Sequence, residues 1–111
     1  RAVLNVMNNA CYAVWRKWQD TPEGYSPEIT VSLEKLDKRI VLTIRDNGEG
    51  MSPEVKQRLF DSFFTTKPVG QGTGLGMSIV RDIIENKHHG KVLFDSVQHE
   101  YTCFRFIIPV T

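Results

Sequence analysis

The sequence predicts an α+β domain, a two-layer α/β sandwich in which helices pack on one face of a mostly antiparallel sheet. Residues 3–19 and 76–90 repeat apolar side chains at helical spacing, whereas four other segments alternate apolar and polar residues as strands do. The strands come as two consecutive pairs joined by short turns, which favours antiparallel hairpins. The 111 residues suffice for one hydrophobic core and are too few for two.

The composition indicates an ordinary globular protein, with 41% apolar and 24% charged residues. A net charge of +1 gives no indication of a nucleic-acid surface. Cys11 and Cys103 form no CxxC motif, and the longest apolar runs are too short for a signal segment or a membrane span. We therefore expect a reduced, cytoplasmic domain that contacts neither nucleic acid nor membrane, although the full-length protein can still be membrane-anchored.

The first helix begins without an initiator Met or a capping residue, so we expect residues 1–111 to be one domain truncated at its N-terminus. Within this helix Asn5 and Asn9 are four residues apart and share a face. Buried amides need hydrogen-bond partners. The two asparagines are therefore either surface residues or a polar stripe that faces a ligand. A loop rich in Pro and Gly follows over residues 20–27.

The second predicted strand delivers a carboxylate to an unexpected face. The alternation runs over residues 29–34 in the first strand, and the turn 36–39 leads into the second, in which Ile40, Leu42 and Ile44 point to one side. Asp46 continues this apolar face, where a carboxylate is unfavourable unless it is hydrogen-bonded. The stretch from Asp46 to Met51 is either a simple turn or part of a polar site.

A short helix should follow, with Ser52 as its cap, Pro53 in its first position and an end near Leu59. Phe60, Phe63 and Phe64 come next, and they either pack into the core or anchor a mobile flap.

The glycine-rich run 70–76 opens the last helix, which we expect to end at Gly90. Exposed backbone N–H groups at such a helix start suit phosphate, but neither a Walker motif nor a dinucleotide fold is supported. Strands 91–97 and 101–110 complete the sheet, joined by the turn 98–100.

Four motifs in sequence order resemble the ATP-binding catalytic domain of sensor histidine kinases. This domain has the Bergerat fold, shared with gyrase-type topoisomerases, heat-shock chaperones and mismatch-repair ATPases. Each motif alone is weakly specific, but the four together, with sensible spacing over nearly the whole chain, are strongly specific. They are the N box Leu4-Asn5-Val6-Met7-Asn8-Asn9-Ala10, the G1 box Asp46-Asn47-Gly48-Glu49-Gly50-Met51, the F box Phe60-Asp61-Ser62-Phe63-Phe64-Thr65-Thr66-Lys67 and the G2 box Gly72-Thr73-Gly74-Leu75-Gly76.

The resemblance implies that the domain binds ATP and Mg²⁺. Asp46 would accept a hydrogen bond from the adenine amino group, and Asn9 would supply a side-chain oxygen to Mg²⁺. The implied catalytic residues, which would lie near the phosphates, are Asn5, Asn9 and Lys67. The segment between Gly50 and Thr73 would form a mobile lid over the ATP. The implied nucleotide-binding residues are Asn9, Asp46, Gly48, Gly50, Met51, Phe63, Lys67, Gly72, Thr73, Gly74, Leu75 and Gly76.

Asn5 favours a protein histidine kinase within this superfamily. Hydrolytic members carry a Glu at this position as the general base, and an amide cannot take a proton. The alternatives are a gyrase- or chaperone-like ATPase and a non-catalytic nucleotide-binding interaction module. Three places depart from the family pattern and leave loop details open, namely Tyr12, Gly90-Lys91 and the turn 98–100.

The chain offers no convincing phosphoacceptor. His88 and His89 fall at a helix C-terminus, where imidazole meets the helix dipole favourably, and His99 falls in a strand turn. The resemblance therefore implies that the γ-phosphoryl group goes to a histidine on a separate upstream helical domain. That domain would dimerise the full-length protein, which would work with a response regulator in two-component signal transduction.

Overall fold

The computed structural model describes residues 2–21, 23–61 and 76–110. Its elements follow the predicted order. In the described part of the chain the strands form one antiparallel sheet with the order β1-β2-β4-β3. The elements are helix α1 (Ala2–Asp20), strands β1 (Ile29–Leu36) and β2 (Arg39–Asp46), helix α2 (Pro53–Arg58), helix α3 (Gly76–Arg81) with a π-helix (Asp82–Lys87), and strands β3 (Lys91–Val97) and β4 (Tyr101–Pro109).

The core lies between the helices and the face of the sheet that strand alternation predicts. Ile44 pairs with Phe104 and Leu42 with Phe106 across β2 and β4, so these side chains share one face. Helix α1 packs over β2 and the π-helix over β3. The buried apolar cluster consists of Val6, Ala10, Ile44, Met77, Val80, Ile84, Val92, Phe104 and Phe106. The predicted α+β sandwich is confirmed.

Strand β1 differs from its neighbours in burial. Its predicted apolar face is present, because Val31 and Leu33 pair with Ile44 and Leu42 and share their side of the sheet. Val31 is nevertheless 51% and Leu33 70% exposed. The reason is position, since β1 lies at the edge of the sheet beyond the strand over which α1 packs.

Helix α2 has the predicted start, and the chain beyond it packs into the core. Ser52 caps the helix by accepting a hydrogen bond from the Val55 amide at 3.3 Å, and Pro53 opens it. Phe60 then packs edge-on against Phe94, with ring centroids 5.8 Å apart. Of the two interpretations of the aromatic cluster, core packing therefore holds for Phe60, while Phe63 and Phe64 lie outside the described residues.

The last helical segment is not the uniform α-helix that the apolar spacing predicts. It becomes a π-helix at Asp82 and ends at Lys87 rather than at Gly90. Val80 and Ile84 are still buried, so the core-facing pattern is kept through the change of winding. Gly90 has a different role, because a Cβ there would lie 2.3 Å from the Ile107 carbonyl oxygen where the chain approaches β4.

Both cysteines are free thiols, with Cys11 exposed and Cys103 buried. In the ranges that the structure describes, none of the helices combines the length and apolarity that a bilayer crossing requires.

Replacing Phe106 should be far more damaging than replacing an exposed residue on the same face. Phe106 is 1% exposed, and Phe106→Ala should lower the free energy of unfolding by about 3–5 kcal/mol through lost burial and a cavity. Leu33→Ala, at the exposed edge, should change it by less than about 1 kcal/mol. Urea denaturation monitored by circular dichroism measures both variants. Equal losses would contradict the placement of the core.

Candidate functional site

Asp46 ends β2 as a buried carboxylate. It is 5% exposed and lies on the core face, opposite Thr102 of β4, as strand alternation predicts. Its Oδ1 accepts a hydrogen bond from the Gly48 amide at 2.8 Å. Within the described residues Gly48 is its hydrogen-bond donor, so Oδ2 keeps the capacity to accept one from a ligand.

Burial dominates the protonation of this carboxyl group. It raises the pKa of Asp46 from 3.8 to about 6, because the charged form loses hydration. The Gly48 hydrogen bond and the positive charges of Arg45 and Lys17 lower the pKa, and the negative charge of Glu49 raises it. Asp46 is thus mostly ionised at pH 7, and its ionisation lowers the stability of the folded state.

Gly48 brings the loop after β2 against helix α1. A Cβ at Gly48 would lie 2.7 Å from Ala13, so only glycine permits this approach. Asn9 lies one helical turn before Ala13 on the same face of α1, and Asn5 lies one turn before Asn9. Asn5 and Asn9 are half-buried, and Ala13, which follows them on this face, meets Gly48 of the loop.

The other side of the loop is held by the β3–β4 hairpin. Gly50 has a φ of 66°, and a Cβ there would lie 2.2 Å from the Val97 carbonyl oxygen. The Met51 amide donates to Ser96 Oγ at 2.9 Å. The His99 amide donates to the Glu49 carbonyl oxygen at 2.6 Å. The predicted site residues Asp46, Gly48, Gly50 and Met51 therefore belong to one loop pinned between α1 and this hairpin.

Two further residues hold the loop and were not predicted as site residues. Asn47 binds the segment before β1, where its Oδ1 accepts from the Glu28 amide at 2.8 Å and its Nδ2 donates to the Ser26 carbonyl oxygen at 2.9 Å. Lys17 donates to the His99 carbonyl oxygen at 2.8 Å. The sequence does indicate on which side of the helix Lys17 lies, because it follows Ala13 by four residues and Asn9 by eight.

Part of the predicted site cannot be placed. Gly76 is the first residue of α3. The remaining predicted residues, Phe63, Lys67, Gly72, Thr73, Gly74 and Leu75, lie outside the described residues. Across the described ranges, no group of three or more His, Cys, Asp or Glu side chains is arranged to hold a metal ion.

Comparison with known proteins agrees with this architecture. The family described as histidine kinase-, DNA gyrase B- and HSP90-like ATPase matches residues 1–111. The chain is 32% identical over 110 residues to the sensor histidine kinase ZraS of Salmonella typhi, covering 99% of this chain and 21% of ZraS. It is 34% identical over 119 residues to the sensory histidine kinase/phosphatase NtrB of Rhizobium meliloti, covering 97% of this chain and 29% of NtrB.

Solved structures show the same relationship. The nucleotide-free catalytic domain of the histidine kinase ThkA superposes with a TM-score of 0.75 at 30% identity, covering 97% of this chain and 64% of that one. The mycobacterial sensor histidine kinase MprB superposes with a TM-score of 0.72 at 31% identity, covering 97% of this chain and 67% of the MprB chain.

The fold and the matched family define the class of this protein as a nucleotide-binding domain of the Bergerat type. The chain belongs to the histidine kinase-, DNA gyrase B- and HSP90-like ATPase family, and its relatives named above are sensor histidine kinases. The predicted resemblance to histidine kinase catalytic domains is confirmed. The chain spans about a fifth of the length of ZraS and 29% of that of NtrB.

Gly50→Ala should be more destabilising than Gly24→Ala, although both glycines have positive φ values of 66° and 76°. Each substitution meets the penalty of about 1–2 kcal/mol for a left-handed backbone. At Gly24 the added methyl group meets open space, whereas at Gly50 it collides with Val97. Thermal or urea unfolding measures the loss of stability in both variants, and the difference between the two losses is the effect of the collision at Gly50. Similar losses in the two variants would contradict the close approach of loop and hairpin.

Asp46→Asn should stabilise the nucleotide-free domain at neutral pH. Because the folded-state pKa lies above the unfolded one, the favourable contribution of Asp46 is complete below pH 4 and is lost as the pH rises through about 6. The variant minus wild-type difference in unfolding free energy should therefore grow between pH 4.5 and 7.5. It should reach on the order of 2–3 kcal/mol, since one pKa unit corresponds to about 1.4 kcal/mol.

Urea denaturation across this pH range measures the difference directly. Asp37→Asn, in the exposed turn between β1 and β2, controls for the loss of one negative charge and should stay within about 0.5 kcal/mol of wild type. A difference for Asp46→Asn that does not change with pH would contradict a raised pKa.

Proposed function

We propose that this domain binds Mg-ATP and donates the γ-phosphoryl group to a histidine on a separate domain, as part of two-component signal transduction. The observation that carries the proposal is the Asp46 carboxylate, buried on the core face with an acceptor oxygen left for a ligand. Membership in the family and the names of the relatives give the class of reaction.

Asp46 supports recognition of adenine. A carboxylate oxygen accepts a hydrogen bond from the exocyclic amino group of adenine, directly or through a water. Guanine presents a carbonyl oxygen at that position and would leave the buried carboxylate unpaired. Such a loss costs about 1–3 kcal/mol, or roughly 5- to 150-fold in affinity.

Asn9 fits the proposed Mg²⁺ site by its chemistry and its position. Its side-chain amide oxygen is a hard ligand of the kind that Mg²⁺ accepts, and Mg²⁺ retains several waters and takes the other ligands from the phosphates. Asn9 also lies one turn from Ala13, which contacts the Asp46 loop. When bound, the ion would neutralise phosphate charge. Asn5 and Lys67 are proposed beside the phosphates, with the backbone amides of Gly74, Leu75 and Gly76 as further donors.

Asn5 supports transfer to a protein over hydrolysis. An amide one turn before the proposed metal ligand cannot deprotonate a water molecule, so bound ATP is preserved for an external acceptor. Phosphoryl transfer then depends mainly on positioning and charge neutralisation. The acceptor histidine is proposed on an upstream helical domain that dimerises the full-length protein, and the phosphoryl group would pass on to a response regulator. A cytoplasmic location is proposed because Cys11 and Cys103 are both free thiols, as expected in a reducing compartment.

Binding of an ATP analogue should depend on Asp46. In calorimetry with Mg²⁺ and a non-hydrolysable ATP analogue, wild type should bind and prefer adenine to guanine analogues by at least about fivefold. Asp46→Ala should lose most of the affinity, because no acceptor faces the base. Asp37→Asn should bind as wild type does, since its turn lies at the opposite end of β2.

Three results would separate the alternatives. Equal affinity of wild type and Asp46→Ala for the ATP analogue would contradict the assignment of Asp46 to an adenine pocket. A wild-type domain that shows no saturable nucleotide binding would favour a non-catalytic interaction module. Sustained ATP turnover by the wild-type domain alone would favour a gyrase- or chaperone-like ATPase, which the amide of Asn5 argues against.

A further inference from the structure

Lys17 lies on the helix face that carries the proposed metal ligand. Residues 5, 9, 13 and 17 of α1 follow each other at steps of four, so they form one stripe along the helix. Ala13 contacts Gly48 in this stripe. One turn further on, Lys17 Nζ donates to the His99 carbonyl oxygen at 2.8 Å and approaches the Asn47 carbonyl oxygen at 3.4 Å.

The ammonium group is held by oxygen dipoles and an aromatic face. Its Nζ lies 4.8 Å from the centroid of the Tyr25 ring, a distance that allows a cation–π interaction. The Tyr25 hydroxyl in turn donates to the Asn47 carbonyl oxygen at 3.0 Å. Lys17 and Tyr25 therefore converge on the peptide group between Asn47 and Gly48, whose N–H donates to Asp46 Oδ1.

Lys17 thus joins three segments that are distant in sequence. It connects α1 with the loop after β2 through Asn47, and with the β3–β4 turn through His99. The same turn returns to the loop, because the His99 amide donates to the Glu49 carbonyl oxygen. Lys17 and this turn therefore hold the carbonyl groups of Asn47 and Glu49, the residues on either side of Gly48.

We propose that Lys17 is a positioning residue of the nucleotide site, which fixes the Asn47–Glu49 loop against α1 and keeps Asp46 aimed at the base as a carboxylate. This inference rests on the proposed function. It assigns Lys17 no contact with the nucleotide, since its ammonium group is directed to the carbonyl oxygens of Asn47 and His99.

The charges around Asp46 give the proposal a pH signature. Arg45 on its own strand, Lys17 from α1 and Glu49 from the following loop act on Asp46, and the Tyr25 hydroxyl lies near enough to be affected by it. The neighbours across the sheet, Ile29 and Thr102, carry no charge. Burial raises the pKa of Asp46, and the positive charge of Lys17 opposes this rise. Removing that charge should therefore raise the pKa further.

The test compares Lys17→Met, which keeps an apolar stem, with Lys17→Arg, which keeps the charge. Binding of a non-hydrolysable ATP analogue with Mg²⁺ is measured by calorimetry between pH 5.5 and 8. Lys17→Met should bind about tenfold more weakly near pH 6.5, the effect of one lost hydrogen bond to a charged group. Its pH midpoint for binding should lie above that of wild type, and Lys17→Arg should restore the midpoint. Lys38→Met, in the exposed turn at the far end of β2, is the matched control and should behave as wild type.

A second readout needs no nucleotide. The Asp46 carboxyl carbon is titrated by NMR in the free domain, and its pKa should be higher in Lys17→Met than in wild type and Lys17→Arg. An unchanged pKa and an unchanged binding midpoint would overturn the inference, as would equal weakening at every pH, which indicates a purely structural role. If wild type binds no nucleotide while the NMR shift occurs, the proposed function fails and the coupling of Lys17 to Asp46 stands.

Discussion

A carboxylate on the apolar face of the sheet is the constraint on which the site depends. The alternation of β2 places Asp46 beside Ile44 on the core side, where a charged group loses its hydration. The Gly48 amide and the nearby cations compensate only in part, because the pKa remains raised to about 6. The unliganded domain therefore holds a group in a state that lowers its stability. This cost to stability is consistent with the proposed role of Asp46, in which its remaining hydrogen-bonding capacity serves the nucleotide.

Tertiary contacts, and not the turn alone, determine where this carboxylate points. Gly48 lets the loop touch Ala13 of α1, and Gly50 lets it touch Val97 of the hairpin. A side chain at either position would push the loop off one of its supports. The glycines are therefore needed for close approach on two opposite sides, which is a stronger requirement than a tight turn imposes. This explains why the loop orientation is tied to both α1 and the β3–β4 turn.

The sequence predicted the order of the elements and the side of the sheet on which Asp46 lies, because both follow from local periodicity. It did not predict that the apolar face of β1 is exposed, since this depends on which strand a helix covers. The π-helix after Arg81 also escaped prediction, because Val80 and Ile84 satisfy the same apolar spacing in either winding.

Lys17 illustrates the remaining limit of prediction for the site. Ala13 and Lys17, which continue the stripe of Asn5 and Asn9, contact the loop. The partners of Lys17 are 30 and 82 residues away in sequence, and they are backbone carbonyl groups that no side-chain pattern identifies. Positioning interactions of this kind are visible only once the chain is folded.

The stripe on α1 also relates the two ends of the proposed site to each other. A helix advances about 6 Å over four residues and is rigid over such a distance, so the separation of Asn9 from the loop is set where Ala13 meets Gly48. Lys17 fixes the same loop one turn further on. A change at Lys17 therefore moves the loop relative to Asn9 as well as changing the charge near Asp46. In the proposed function, affinity for the base and placement of the phosphates are therefore coupled through one helix, which favours a single productive geometry for phosphoryl transfer.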